Sequence, residues 1–199
     1  MYARAVTYTG AASIDAGVRY LKEVAVPLLR QQRGFRGVTA SADRSGGVLG
    51  VLSLWGTEAD RDASESTLVK AREEGQQVIG GTFTVEHFEE LLAETARPPA
   101  AGCSLLIRRL SMDPAKIEEN LGFFKQDVLP QITAGPGFCA VRNMINRQTG
   151  EGLVGTVWAD KAAMDAAAEA GEARRRQAAR RGVTFGEQSK REIVFADLR

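Results

Sequence analysis

"RGFRGVTASADRSGGVLGVLSLW", residues 33–55, is echoed later in the same chain by "PGFCAVRNMINRQTGEGLVGTVW", residues 136–158. In each stretch Gly-Phe opens, a Gly-containing turn interrupts and Trp closes, with Phe35 to Trp55 and Phe138 to Trp158 spanning the same number of residues. Shifting the chain by 103 positions, the distance from Trp55 to Trp158, extends the match in both directions. Lys22 falls on Lys125, Pro27 on Pro130, Arg44 on Arg147, Gly47 on Gly150, Asp62 on Asp165 and Arg72 on Arg175. One ungapped offset over about fifty residues marks a duplicated folding unit, and a period this long is a repeated domain rather than a solenoid.

Both copies read in the same order. "YARAVTYT" and "SLLIRRLS" are short and rich in β-branched, aromatic and aliphatic residues, which suits strands. Ile14, Val18, Leu21, Ala25 and Leu28, and then Ile117, Leu121, Phe124 and Val128, are spaced by three and four, so each set forms one apolar helix stripe. Asp113-Pro114 supplies a helix start in the second copy. Pro27 and Pro130 are expected to kink or end these helices, because proline lacks the N–H and its ring crowds the preceding turn.

The quoted stretches follow as hairpins, with alternating strands around Gly-containing turns. Thr57-Glu58 and Asp160 open second helices, Gly182 closes the later one, and "TFTVEHFEELL" and "REIVFADL" are final strands. Each copy is therefore β-α-β-β-α-β, a split βαβ unit whose helices cover one sheet face. The expected fold class is α+β: two tandem ferredoxin-like domains, residues 1–93 and 103–199, joined by the linker 94–102. The uncovered sheet face of one copy needs a partner, and the second copy can supply it.

Composition sets the outer limits. With 199 residues, 44% hydrophobic and 26% charged, the chain can bury a core. No apolar run approaches the ~20 residues of a membrane helix and the N-terminal stretch lacks a secretory apolar segment, so a cytoplasmic protein is expected. A net charge of +1 gives no general pull toward nucleic acid or an anionic membrane. One His and two Cys without ligand spacing argue against a metal site, and Cys103 and Cys139 read as reduced structural thiols.

"VPLLRQQRGF…SLW" and "LPQITAGPGF…TVW", with a proline late in the helix, Gly-Phe, a hairpin, Trp and an acid-started helix, resemble the antibiotic biosynthesis monooxygenase domain. The resemblance implies a dimeric α+β barrel, normally built by two chains and here within one. It also implies a pocket between sheet and helices in each half that takes flat aromatic molecules or haem. Members oxidise aromatics without metal or flavin, or degrade haem. Neither 57–75 nor 160–181 contains the His that the haem branch carries, so no cofactor is expected and haem is disfavoured.

The function read from this is binding of a small apolar or aromatic molecule, with cofactor-independent monooxygenation as the enzymatic form. A non-enzymatic ligand-binding or assembly module of the same fold is the alternative. The partner is a small-molecule ligand, and the protein is a monomer with pseudo-dimeric halves or a homodimer. The candidate catalytic residues are His87, the only imidazole, and Asn143, an amide alternating with apolar neighbours. Trp55 and Trp158 can wall a pocket or fill the core. Tyr8 and Tyr20 offer hydroxyls, and Arg4, Arg108 and Arg109 offer guanidiniums that face either an oxyanion or solvent. "EARRRQAARR" reads as a solvated helix face and Gly46-Gly47 as a turn.

Overall fold

The computed structural model describes residues 1–198; Arg199, the end of the second predicted copy, lies outside them. The first copy runs β1 (Tyr2–Thr9), α1 (Ile14–Tyr20), a π turn over Leu21–Ala25, α2 (Val26–Gln31), β2 (Phe35–Asp43), β3 (Val48–Trp55), α3 (Glu58–Ala63), α4 (Glu65–Ile79) and β4 (Thr82–Thr95). The second repeats it as β5 (Ser104–Ser111), a 3₁₀ turn at Pro114–Lys116, α5 (Ile117–Phe123), a π turn over Phe124–Val128, α6 (Leu129–Thr133), β6 (Phe138–Ile145), β7 (Glu151–Trp158), α7 (Lys161–Ala170), α8 (Glu172–Ala179) and β8 (Thr184–Leu198). The hydrogen-bonded strand order β1-β3-β2-β8-β5-β7-β6-β4 closes on itself, giving the α+β barrel.

By contact the chain forms two compact units, Met1–His87 with the chain from Glu192, and Phe88–Arg191. In the first, β2 pairs with β3 along its length and with the Glu192–Leu198 part of β8. In the second, β6 pairs with β7 and with the Glu89–Thr95 part of β4. The long last strands thus each contribute one part to one unit and one part to the other.

The recurring Gly-Phe…Trp spacing has a direct cause. Phe35 lies opposite Trp55 and Phe138 opposite Trp158, and in both hairpins the register shifts immediately afterwards, between Phe35 and Gly37 and between Phe138 and Ala140. Ring edges meet faces, with centroids 5.7 Å apart at 69° and 5.8 Å apart at 74°. The glycine before each Phe takes a left-handed φ, +70° at Gly34 and +77° at Gly137, and its carbonyl accepts from the residue after the Trp at 2.7 Å. A side chain cannot adopt that backbone without strain. Each indole Nε1 donates two residues back, Trp55 to Ser53 Oγ at 3.1 Å and Trp158 to Thr156 Oγ1 at 2.9 Å. The largest side chain of each unit is thereby buried with its one polar atom satisfied.

The helix caps follow their residues. Thr57 accepts from Asp60 N–H at 3.1 Å, Asp160 from Ala163 N–H at 2.9 Å and Asp113 from Ala115 N–H at 2.9 Å. The prolines act differently from the expectation of a kink or stop in the last turn. Pro27 and Pro130 sit in the first turns of α2 and α6, just after the π turns, where the missing N–H is absorbed by the widened turn and the helix continues. Both cysteines are free thiols, and Cys139 is buried and accepts from Arg97.

The Phe138–Trp158 contact is expected to carry about 0.5–1.5 kcal/mol beyond its area burial. A double-mutant cycle of Phe138→Leu and Trp158→Leu, read by urea unfolding, should show that coupling, and the Phe35–Trp55 cycle should match it. Additive single effects would contradict the pairing.

Candidate functional site

Each unit contains a cavity between its sheet and helices, and the two are lined from equivalent positions. In the first unit the lining comes from Arg4, Val6 and Tyr8 on β1, Gly17 and Tyr20 on α1, Val51 and Ser53 on β3, and Leu68, Ala71 and Arg72 on α4. In the second the same places are held by Leu106, Arg108 and Leu110, by Asn120 and Phe123, by Val154 and Thr156, and by Gly171, Arg174 and Arg175. What differs is the chemistry put there.

In the first unit the space is about 70 Å³. Arg4, 2% exposed, crosses it and spends its donors on Ser64 Oγ at 2.9 Å, the Arg61 carbonyl at 2.5 Å and His87 Nε2 at 3.4 Å, with Glu65 at 3.0 Å as its counter-ion. Its guanidinium also stands 5.6 Å from the Trp55 ring centre. Glu65 also pairs with Arg72. Tyr8 donates to the Arg72 carbonyl at 3.3 Å and Tyr20 to Glu74 at 3.0 Å. Burial pushes both phenols up to about 12, so they stay protonated donors at neutral pH. The first cavity is thus partly filled by an ionic and hydrogen-bonded network.

In the second unit that network is gone. The 103-residue offset replaces Arg61, Ser64 and Glu65 by Met164, Ala167 and Ala168, and Leu49 by Gly152. The space grows to about 130 Å³, mostly walled by aliphatic and aromatic side chains that include Leu121, Phe124, Ile132 and Trp158. Its polar groups are Arg108, Asn120, Asn143, Thr156, Arg174 and Arg175, and no Asp, Glu or His lines it. Burial and the neighbouring Arg175 lower the Arg108 and Arg174 guanidiniums from their ordinary value. Arg175 donates to the Ala168 carbonyl at 3.3 Å, while Glu172 is engaged by Arg176. Clustered guanidiniums in an apolar, carboxylate-free recess are an electrostatic invitation to one anionic group.

No protein-family model matches the sequence. Two uncharacterized proteins of Mycobacterium tuberculosis (strain ATCC 25618 / H37Rv) are similar to it. One is 26% identical over 204 residues, covering 100% of this chain and 86% of its own length, and the other is 27% identical over 154 residues, covering 77% and 69%. Among solved structures, a candidate monooxygenase of Fusobacterium nucleatum superposes with a TM-score of 0.72 at 8% identity over 100% of this chain and 94% of that one. An anthrone oxidase-like protein gives 0.68 at 12% over 99% and 93%. A heme-degrading enzyme from Listeria monocytogenes gives 0.58 at 10% over 96% and 99%.

The fold is that of the monooxygenase-like α+β barrels. Within this monooxygenase-like fold the sequence candidates scatter. Asn143, Trp158 and Arg108 line the second cavity, while Arg4, Tyr8 and Tyr20 line the first. Trp55, fully buried, lines neither and serves the core, and His87, half-buried beside Arg4, lines neither.

Two parts of the second cavity escaped sequence reasoning. Arg174 and Arg175 belong to the run expected to face solvent, yet both line the cavity. Asn120 sits on the apolar stripe three residues after Ile117, which was the available signal. Its Nδ2 donates to the Lys116 carbonyl at 3.1 Å and its buried Oδ1 has no partner.

Haem does not fit the residues of the second cavity. A cavity of about 130 Å³ is close to the ~150 Å³ that holds a single benzene, far below a tetrapyrrole. The lining offers no His, Cys or Tyr as an axial ligand.

Burial, and the positive charges of Arg61 and Arg4, lower the His87 pKa from 6.5. The unfolded chain therefore takes up a proton first as pH falls, so stability present above about 6.5 declines as pH drops toward the folded value. Because His87 is the only imidazole, its ring proton resonances should titrate below 6.5. His87→Gln should flatten melting temperature against pH over that window. A midpoint above 6.5, or an unchanged slope, would contradict the Arg4 contact.

Proposed function

We propose that the second unit binds a small, largely apolar or aromatic molecule as its anion and oxidises it with dioxygen without a cofactor. The observation that carries this reading is the arginine trio Arg108, Arg174 and Arg175 lining an otherwise apolar cavity that contains no carboxylate. A ligand with one acidic oxygen would place that oxygen among the guanidiniums and its ring against Trp158, Phe124 and Val154. Asn143 and Thr156 add short-range polar contacts, and Asn120 Oδ1 would accept from a hydroxyl on the ligand.

Such a pocket stabilises charge rather than creating it. With donors and no side-chain base in the lining, the substrate must be acidic enough to arrive deprotonated, as acidic phenols and 1,3-dicarbonyl compounds are. The electron-rich anion would then react with oxygen in the apolar space. In balance, a CH₂ group and O₂ give C=O and H₂O, with four electrons leaving carbon and four entering oxygen. Likeness to monooxygenase-like structures supports this at the level of fold.

The lack of a lining base also favours a second reading, a binding module that holds such anions without turning them over. Titration of acidic phenols and 1,3-dicarbonyls, run beside an oxygen electrode, separates the two. Saturable binding with one O₂ consumed per product supports the enzyme, and binding without oxygen uptake supports the module. Arg175→Met should weaken binding roughly tenfold, the scale of a lost charge-assisted hydrogen bond. Absence of binding across the panel would overturn both.

A further inference from the structure

The cavity of the first unit is not merely a filled copy of the second. Arg72 is 8% exposed and gives one nitrogen to Glu65, but its Nε and Nη1 are buried and have no acceptor. Each Arg4 nitrogen has an acceptor, so the lining nitrogens without one are those of Arg72. Arg4 and Arg72 share Glu65, while Arg61 is paired with Glu58 and Asp62. With Arg61 holding two carboxylates, the three guanidiniums and three carboxylates balance, so what this place lacks is acceptors for two buried nitrogens of Arg72, which the paired oxygens of a small anion would supply.

The rest of the lining specifies which anion. Val6, Leu21, Leu49, Val51, Leu68 and Ile79 give the space apolar walls. Water or a compact inorganic ion would satisfy Arg72 and leave those walls facing polar atoms. An anion with a short hydrocarbon tail satisfies both. Size narrows it further: about 70 Å³ is half of the ~150 Å³ that accommodates the six carbons of benzene, which leaves room for a chain of about three carbons. We infer that the first unit holds a second ligand site, for a short-chain monocarboxylate, with its carboxylate on Arg72 and its tail against the apolar walls. This site is independent of the ligand proposed for the second unit.

All three tyrosines, Tyr2, Tyr8 and Tyr20, belong to the first unit, and two of them line this cavity. The full chain labelled with ¹³C in its tyrosine rings therefore reports on the first unit alone. Titrated near neutral pH with acetate, propionate or hexanoate, and with chloride at equal ionic strength, it should show saturable shifts at Tyr8 and Tyr20. Tyr2 should stay still, propionate should bind at least as well as acetate, and hexanoate should bind weakest.

Arg72→Met should weaken propionate at least about tenfold. Should that variant unfold, Ala71→Leu fills the same space while keeping Arg72, and should also abolish the shifts. The inference is overturned if propionate gives no saturable shift, if chloride reproduces it, if Tyr2 moves equally, or if the folded variants bind as the parent does. The cavity then holds water only.

Discussion

Each hairpin is fixed by one cross-strand contact, the edge-on meeting of a Phe with a Trp twenty residues later, prepared by a glycine that turns the backbone into a conformation other residues avoid. Everything around it takes its place from that contact. The Trp ends the second hairpin strand, and its indole donates back to a hydroxyl on that strand. The next two residues lead directly into a capped helix. A shift in this register would turn every strand side chain to the opposite face. The side chains that line the cavities are therefore placed by the same pair of rings.

On that common frame the two units have diverged at a small set of positions. Where the first places Arg4, Ser64 and Glu65, the second places Leu106, Ala167 and Ala168, and one arginine is kept in both as Arg72 and Arg175. The retained guanidinium changes meaning with its surroundings. Beside Glu65 it is half neutralised and tied into a network, whereas next to Arg108 and Arg174 it adds to an unbalanced positive recess. On the proposed reading, the absence of a carboxylate beside this retained arginine is what opens the second cavity to an anion.

The fold was legible because the repeat fixes it several times over. Periodicity located the helices, the Gly-Phe…Trp spacing located the hairpins, and Thr57, Asp113 and Asp160 announced the helix starts that the structure shows. The π turns before Pro27 and Pro130 were not legible, since a widened turn leaves the apolar spacing almost intact. The cavity was only half legible for a different reason. A side chain's service to a pocket depends on which neighbours are small. Arg174 and Arg175 reach inward past Ala167 and Gly171, and composition alone made their helix look solvated. His87 drew attention as the lone imidazole, but its partner is Arg4 rather than a cavity.

The anion binding proposed for the second unit rests on the missing counterpart of Glu65. Restoring it with Ala168→Glu places a carboxylate beside Arg175, and calorimetric titration of an acidic phenol into the folded variant reads the result. Binding should be lost while the melting temperature stays near that of the parent. Undiminished affinity in a folded Ala168→Glu protein would contradict the assignment.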